Sequence, residues 1–214
     1  AAYYNLPKQI KEGKVDEKLV DRAVRRVLRA KFRLGLFDKE IPDVPAGAGI
    51  VRSEEHVSLS KEISDESAIL LENDGLLPLD TKKIRRIALL GPNSAQTVFG
   101  DYSWPDALAE EGVNLLQGLR QRLPQGVSVR QFDGCDWWSQ DGSHIAEAAR
   151  IAAASDVAIV AVGTRSTFLT RKSLNNTSGE GNDLSSLDLP GRQMDLLKAV
   201  KATGTPLIVV LISG

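Results

Sequence analysis

Four short runs constrain this chain more than any other feature: IALL at 87–90, VSVRQF at 127–132, VAIVAV at 157–162 and LIVVLI at 207–212. They are mostly apolar, rich in β-branched residues, and of strand length. Segments with helical spacing lie between them, at 113–123, 143–154 and 191–202. Strands of this kind are satisfied only when both faces of their sheet are covered, and alternation with helices supplies the covers. The pattern predicts an α/β fold, an open and mostly parallel sheet with helices on both faces.

The chain before the first of these runs has a different character. Residues 1–37 hold ten Lys or Arg against four Asp or Glu, a local charge of +6 in a chain whose total is −1. Leu19, Val20, Ala23, Val24, Val27, Leu28 and Phe32 recur at the spacing of one helical face. Asp16 is placed to cap this helix, Glu17 sits in its first turn, and Gly35 stands where it should stop. Arg22, Arg25, Arg26, Arg29 and Lys31 read either as a phosphate-binding face or as a solvated flank; without interleaved aromatics the second is favoured. Residues 38–52 read as a linker, with two Pro and little periodicity. A further helix opens at Ser53, with Val57, Ile63, Ala68 and Leu71 expected to point inward and Gly75 and Pro78 to close it.

Composition removes several classes of function. A net charge of −1 is unlike a dedicated nucleic-acid binder. No apolar run approaches the roughly 20 residues of a membrane-spanning helix. One Cys excludes an internal disulfide and a thiolate metal cage, and His56 and His144 have no ligand set around them. The chain starts without Met and stops directly after PLIVVLISG. That raises the expectation that it is a piece of something longer.

In a parallel sheet, ligand-facing residues gather in the loops after the C-terminal strand ends. The first such loop, GPNSAQTVFGDYSWPD, has a Gly-Pro turn but neither glycine fingerprint of a dinucleotide or nucleoside-triphosphate site. Its Asp101, Tyr102, Ser103 and Trp104 suit a sugar, offering hydroxyl partners beside an aromatic face; a packed surface loop is the competing reading. The second loop, FDGCDWWSQDG, places Trp137 and Trp138 beside Cys135. The two indoles read as a stacking platform or as a packed domain edge, and Cys135 as a small buried hydrophobe ahead of a nucleophile. The third, 163–193, is roughly thirty residues where a strand-to-helix connection takes about 2 to 6, so a functional role is expected. It carries Arg165, Arg171, Glu180, Asp183 and Asp188 around a Ser178-Gly179-Glu180-Gly181 turn. Glu180 and Asp183 read either as a catalytic carboxylate pair or as caps of a turn or of the helix near Pro190. Overlapping N-x-[ST] sequons occupy Asn175, Asn176, Thr177 and Ser178.

Five separated blocks carry a family resemblance: GKVDEKLVDRAVRRVLRAKFRLGLFD, EEHVSLSKEISDESAILLENDGLLPLD, IRRIALLGPNS, GEGNDLSSLDLPGRQMDLLKAV and VVLISG. In this order they resemble family 3 glycoside hydrolases, over almost the whole chain. The resemblance implies three parts: 1–37 as the closing helix of a (β/α)8-type barrel, 38–52 as linker, and 53–214 as a C-terminally incomplete α/β sandwich. It implies a retaining, exo-acting β-glycosidase of the β-glucosidase or β-xylosidase type, acting on an oligosaccharide or β-glycoside without a cofactor. Its other partners would be the missing barrel and C-terminal segments of the same protein, with no nucleic acid and no membrane, in a periplasmic or secreted setting. Both catalytic carboxylates are expected outside the chain, the nucleophilic Asp before Ala1 and the acid/base Glu beyond Gly214, leaving the isolated chain inactive. The expected contribution is one wall of the pocket, with Arg165, Glu180, Asp183, Asp101 and Tyr102 as substrate-binding residues. Two positions depart from the pattern: Leu184 where many relatives carry Arg, and Glu72 where Lys is common. The reading from another class is a non-catalytic ligand-binding α/β module.

Overall fold

The computed structural model describes residues 3–38, 40, 49–97, 112–166, 176–181 and 183–213. The chain divides into two compact units, Ala1–Leu71 and Glu72–Gly214.

The first unit is helical. Helix α1 (Leu6–Lys11), which the periodicity did not predict, carries Pro7 in its first turn, where the missing N–H costs nothing. Helix α2 (Glu17–Arg33) begins where expected: the Asp16 carboxylate accepts from the Lys18 amide at 3.0 Å, with Glu17 behind it. Gly35 follows with φ +64° and turns the chain out of the helix. The apolar stripe forms as predicted, but it stays open. Tyr3, Leu6, Leu19, Val24, Val27 and Leu28 line a groove of about 520 Å³. Arg22, Arg25, Arg26, Arg29 and Lys31 are all exposed.

Helix α3 (Glu54–Ser67) opens on the Ser53 hydroxyl, which accepts from the His56 amide at 3.4 Å. The inward placement of Val57, Ile63, Ala68 and Leu71 is not what the structure shows, because all four are exposed. The helix also stops early: Ala68 takes an extended conformation (ψ 123°), and the apolar residues after it are no longer on a helical face. Among the described residues nothing covers that stripe, and periodicity alone cannot supply a partner. Asn73 then shapes the turn, accepting from the amides of Gly75 (3.1 Å) and Leu77 (3.0 Å) and donating to the Leu77 carbonyl (2.7 Å).

The second unit is the predicted α/β sheet. Strands β1 (Arg86–Leu90), β2 (Ser128–Phe132), β3 (Val157–Gly163) and β4 (Leu207–Ile212) alternate with helices α4 (Leu115–Arg122), α5 (Ile145–Ala153) and α6 (Gln193–Lys201). All pairings are parallel, in the order β2-β1-β3-β4. Side chains alternate between the faces as the pleat requires. Ala88, Leu90, Ala158, Val160 and Val162 pack with Ala148, Ile151 and Ala152 of α5 and with Leu196 and Val200 of α6. Ile87, Leu89, Val157 and Ile159 pack on the other face with Leu115, Leu116 and Leu119 of α4. Each fully buried Val, Leu or Ile among them contributes about 1.5–3 kcal/mol by leaving water, and each Ala methyl about 0.8 kcal/mol. Helix α4 begins with a capping box, Asn114 and Gln117 bonding each other's backbone amides at 2.9 Å.

Two features register the strands. At the base of the sheet, the Asp156 carboxylate accepts from the amides of Arg85 and Arg86, both at 2.8 Å, and from the Arg86 guanidinium at 3.2 Å. Those bonds, the Arg85 amide first, hold its carboxyl below the usual carboxylate range. At the opposite end, the chain leaves β1 and β3 through Gly91 (φ +95°) and Gly163 (φ +141°). A Cβ at Gly91 would collide with the Ala161 carbonyl, and one at Gly163 with that of Ile212. Among the described residues no helix is long and apolar enough to cross a membrane.

Candidate functional site

The strand order reverses between β1 and β3, and loops leaving two such strands diverge and open a crevice beyond their C-terminal ends. The described residues of three loops meet there.

The loop after β1 is held close to the sheet. The Gly91 amide donates to the Asp133 carbonyl at 3.0 Å, and the Asn93 amide to the Ala161 carbonyl at 3.2 Å. Asn93 and Ser94 are thereby almost completely buried. The Asn93 side-chain oxygen accepts from the Trp137 indole N–H at 2.7 Å, while its Nδ2 has no partner among the described residues.

The loop after β2 supplies a polar cluster and the indole pair. Gln131 Nε2 donates to Asp133 Oδ1 at 2.6 Å and to the Ser94 hydroxyl at 3.0 Å. Burial raises the Asp133 carboxyl above its ordinary value; the bonds from Gln131 and Ser94 oppose that shift, and the charge of Asp136 adds to it. Trp137 stacks on Trp138, with centroids 6.1 Å apart and rings 13° from parallel. The Arg165 guanidinium carbon lies 4.5 Å from the Trp137 ring centroid. Trp137 is buried by these neighbours and its ring is structural, not an open platform. Cys135 belongs to the core, and burial, ahead of the charges of Asp136 and Asp133, pushes its thiol up to about 11. It therefore stays a neutral thiol near pH 7, which removes the nucleophile reading. A cavity of about 480 Å³ opens beside this loop, lined by Phe132, Asp133, Cys135, Asp136, Ser139 and His144 among others.

The long loop after β3 folds back on its own start. The Arg165 amide donates to the Thr177 hydroxyl at 2.8 Å, and the Arg165 carbonyl accepts from the amides of Thr177 (2.9 Å) and Ser178 (3.3 Å). Thr177 and Ser178 are buried by this pairing. Immediately beyond them the chain turns outward through Gly179 (φ +96°) and Gly181 (φ +80°), and Glu180 between them is exposed. Of the residues singled out from sequence, Arg165 and Glu180 are thus brought to one short, anchored segment. Asp183 and Asp188 are exposed further along, Asp188 accepting from the Ser186 hydroxyl at 2.7 Å as the cap of a local turn. Asp101, Tyr102, Ser103, Trp104 and Arg171 lie outside the described residues. The sequence reading passed over Asn93, Ser94, Asp133 and Thr177. The GPNS turn, the FDGCDWWSQDG loop and the sequon drew attention to their segments, and none disclosed the partners.

The family model of the glycosyl hydrolase family 3 C-terminal domain matches residues 68–214. A β-xylosidase of Formosa agariphila is 35% identical over 206 residues, covering 92% of this chain and 27% of that protein. A periplasmic β-glucosidase of Salmonella typhimurium is 30% identical, covering 99% of this chain and 30% of its own length. Among solved structures, a β-glucosidase of Erythrobacter marinus superposes with a TM-score of 0.78 at 30% identity, covering 98% of this chain and 30% of that one. An exo-β-xylosidase bound to a xylobiose aziridine probe superposes with a TM-score of 0.72 at 26% identity, over 96% of this chain and 25% of its own. The chain spans about 27–30% of the length of these curated relatives.

Proposed function

Because the chain belongs to glycoside hydrolase family 3, we propose that it is one part of a retaining, exo-acting β-glycosidase that releases terminal β-linked glucose or xylose from oligosaccharides or glycosides. On this reading residues 1–37 close a barrel domain, 38–52 link it to the sandwich, and 53–214 furnish one wall of the substrate pocket. The observation that carries the proposal is the anchored turn of the long loop. Thr177 and Ser178 are pinned to Arg165, and the next residue but one, Glu180, is offered to solvent at the C-terminal ends of the strands. A carboxylate in that position accepts hydrogen bonds from sugar hydroxyls, and Arg165 and Asp183 flank it with further polar groups. Asp101 and Tyr102, which lie outside the described residues, are assigned to the same wall by the family resemblance alone.

Retention requires two carboxyl groups about 5 Å apart across the scissile bond, one attacking the anomeric carbon and one serving as acid and then base. With both supplied by segments outside this chain, the isolated polypeptide turns over neither nitrophenyl β-glucoside nor nitrophenyl β-xyloside. A second reading makes Glu180 itself the acid/base, a role its exposure is compatible with. It is a single exposed carboxylate between two glycines, on a base held by three hydrogen bonds. Glu180→Gln in the full-length protein separates the two. A wall residue raises KM about tenfold and leaves kcat within a few-fold, as loss of uniform binding should. An acid/base residue lowers kcat for poor leaving groups by about 10²–10⁴-fold, spares activated aryl glycosides, and lets added azide yield a glycosyl azide. Unchanged kinetics with both kinds of substrate would remove Glu180 from the pocket altogether.

A further inference from the structure

The long loop is closed by one side chain that neither the fold nor the resemblance assigns a task. Gln193, the first residue of α6, is fully buried. Its Oε1 accepts from the Gly163 amide at 2.8 Å. Its Nε2 lies within donating distance of three carbonyls: Gly163 at 2.9 Å, Trp137 at 3.1 Å and Pro190 at 3.2 Å. A primary amide has two N–H donors, so at least one of these bonds is shared. The set joins points 30 and 56 residues away in the chain: the end of β3, where the loop departs, and the loop after β2. Pro190, where the long loop returns, is the third point.

We propose that Gln193 is the positioning residue of the site, a carboxamide clasp that fixes both ends of the 163–193 loop and locks it to the Trp137 loop. Three features support that role over plain core filling. An amide is expensive to bury unless bonded, and here donor and acceptor sides are both engaged. The acceptors are backbone carbonyls on three separate segments, so the amide sets their mutual distance; an apolar side chain would only fill the volume. The next link is Trp137, whose indole bonds Asn93 and whose ring carries Arg165; Arg165 in turn holds Thr177 and Ser178, directly before Glu180. Displacing the clasp therefore moves the turn that presents Glu180, although Gln193 does not itself reach solvent.

The catalytic part of this proposal rests on the glycosidase reading; the clasp itself does not, and the test has one readout for each. Gln193→Met keeps the unbranched length and removes every hydrogen bond. Gln193→Glu keeps the acceptor for Gly163 and, when ionised, loses the donors. In the full-length protein, both variants are expected to speed amide exchange about tenfold or more in 164–166 and 176–192, with β1, β2 and β3 still protected. Both are also expected to reproduce the Glu180→Gln change for an aryl β-glycoside, raising KM by up to about tenfold with kcat within a few-fold, as displacement of a wall residue should. Faster exchange spread evenly over all four strands, with both KM and kcat per folded molecule unchanged, would make Gln193 a stability residue and overturn the proposal. Wild-type exchange in the loop would overturn it equally. A wild-type protein with no glycosidase turnover, but with local loop release in the variants, would sustain the clasp and remove the glycosidase reading.

Discussion

Strand β3 and helix α2 both carry strong apolar patterns, yet all seven residues of β3 are buried and no residue of α2 is. In β3, Val157 and Ile159 meet α4 while Ala158, Val160 and Val162 meet α5 and α6, so each face has a partner. In α2 the stripe from Leu19 to Phe32 is half open, and the groove it forms with Tyr3 and Leu6 faces solvent. An apolar period thus records which face gains from burial, and burial itself needs a second surface in contact. The same contrast exists within the sheet. Val209 and Leu211 of edge strand β4 are 50% and 56% exposed, while Val160 and Val162 in the neighbouring strand are at 0%.

If that contrast is physical, substitutions of the same kind should diverge between the two units. The largest divergence is expected at glycine. Gly163→Ala puts a methyl onto the Ile212 carbonyl at an unfavourable φ and should cost the second unit about 3 kcal/mol or more, read as a lowered urea midpoint. Gly13→Ala, also at positive φ but with open space around it, should cost only the left-handed backbone penalty of about 1 kcal/mol. Next, Leu196→Ala in the core should cost about 2–5 kcal/mol, whereas Leu19→Ala on the open stripe should stay near about 0.5 kcal/mol. Equal losses at Leu196 and Leu19 would break the comparison.

Two smaller effects sharpen it. Cys135 is buried and its thiol is pushed up to about 11, so iodoacetamide at pH 8 should label the folded chain at least about 10²-fold more slowly than the unfolded one. Labelling at the unfolded rate would mean that the core around α5 and α6 opens readily. The smallest effect concerns Asp156, whose carboxyl lies below its usual range in the folded state. A depressed folded-state pKa contributes stability above the unfolded value of about 3.9 and loses it as pH falls through the folded one. Asp156→Asn should therefore melt below wild type by a constant margin above about pH 5, and that margin should vanish on further acidification. A margin independent of pH down to the acid limit would assign the effect to geometry instead of charge.

The fold was legible because its signals are local. The run at 87–90 becomes β1 with Arg86 added, that at 157–162 becomes β3 with Gly163 added, and 207–212 matches β4 residue for residue. Asp16 and Ser53 cap their helices because a short oxygen before a helix can reach only the next few amides. The site was legible only in part. The length and glycines of the 163–193 loop marked it, and Arg165 and Glu180 do share an anchored segment. Nothing local, however, distinguishes Asn93 from any other turn asparagine, or Gln193 from a helix-surface glutamine. Their partners are 44 and 30 residues away.

By itself, then, the sequence determined the four strands, most of the helices and the parallel sheet with two covered faces, because periodicity, capping and turn chemistry act over a few residues, while the family was carried by five matching blocks. Tertiary structure alone decided that Val57, Ile63 and Leu71 stay exposed, and that Trp137 is a buried strut. It also decided that the amide of Gln193 closes the loop. Those outcomes depend on which distant carbonyl or side chain arrives within about 3 Å, and buried polar groups are stable only where such partners meet.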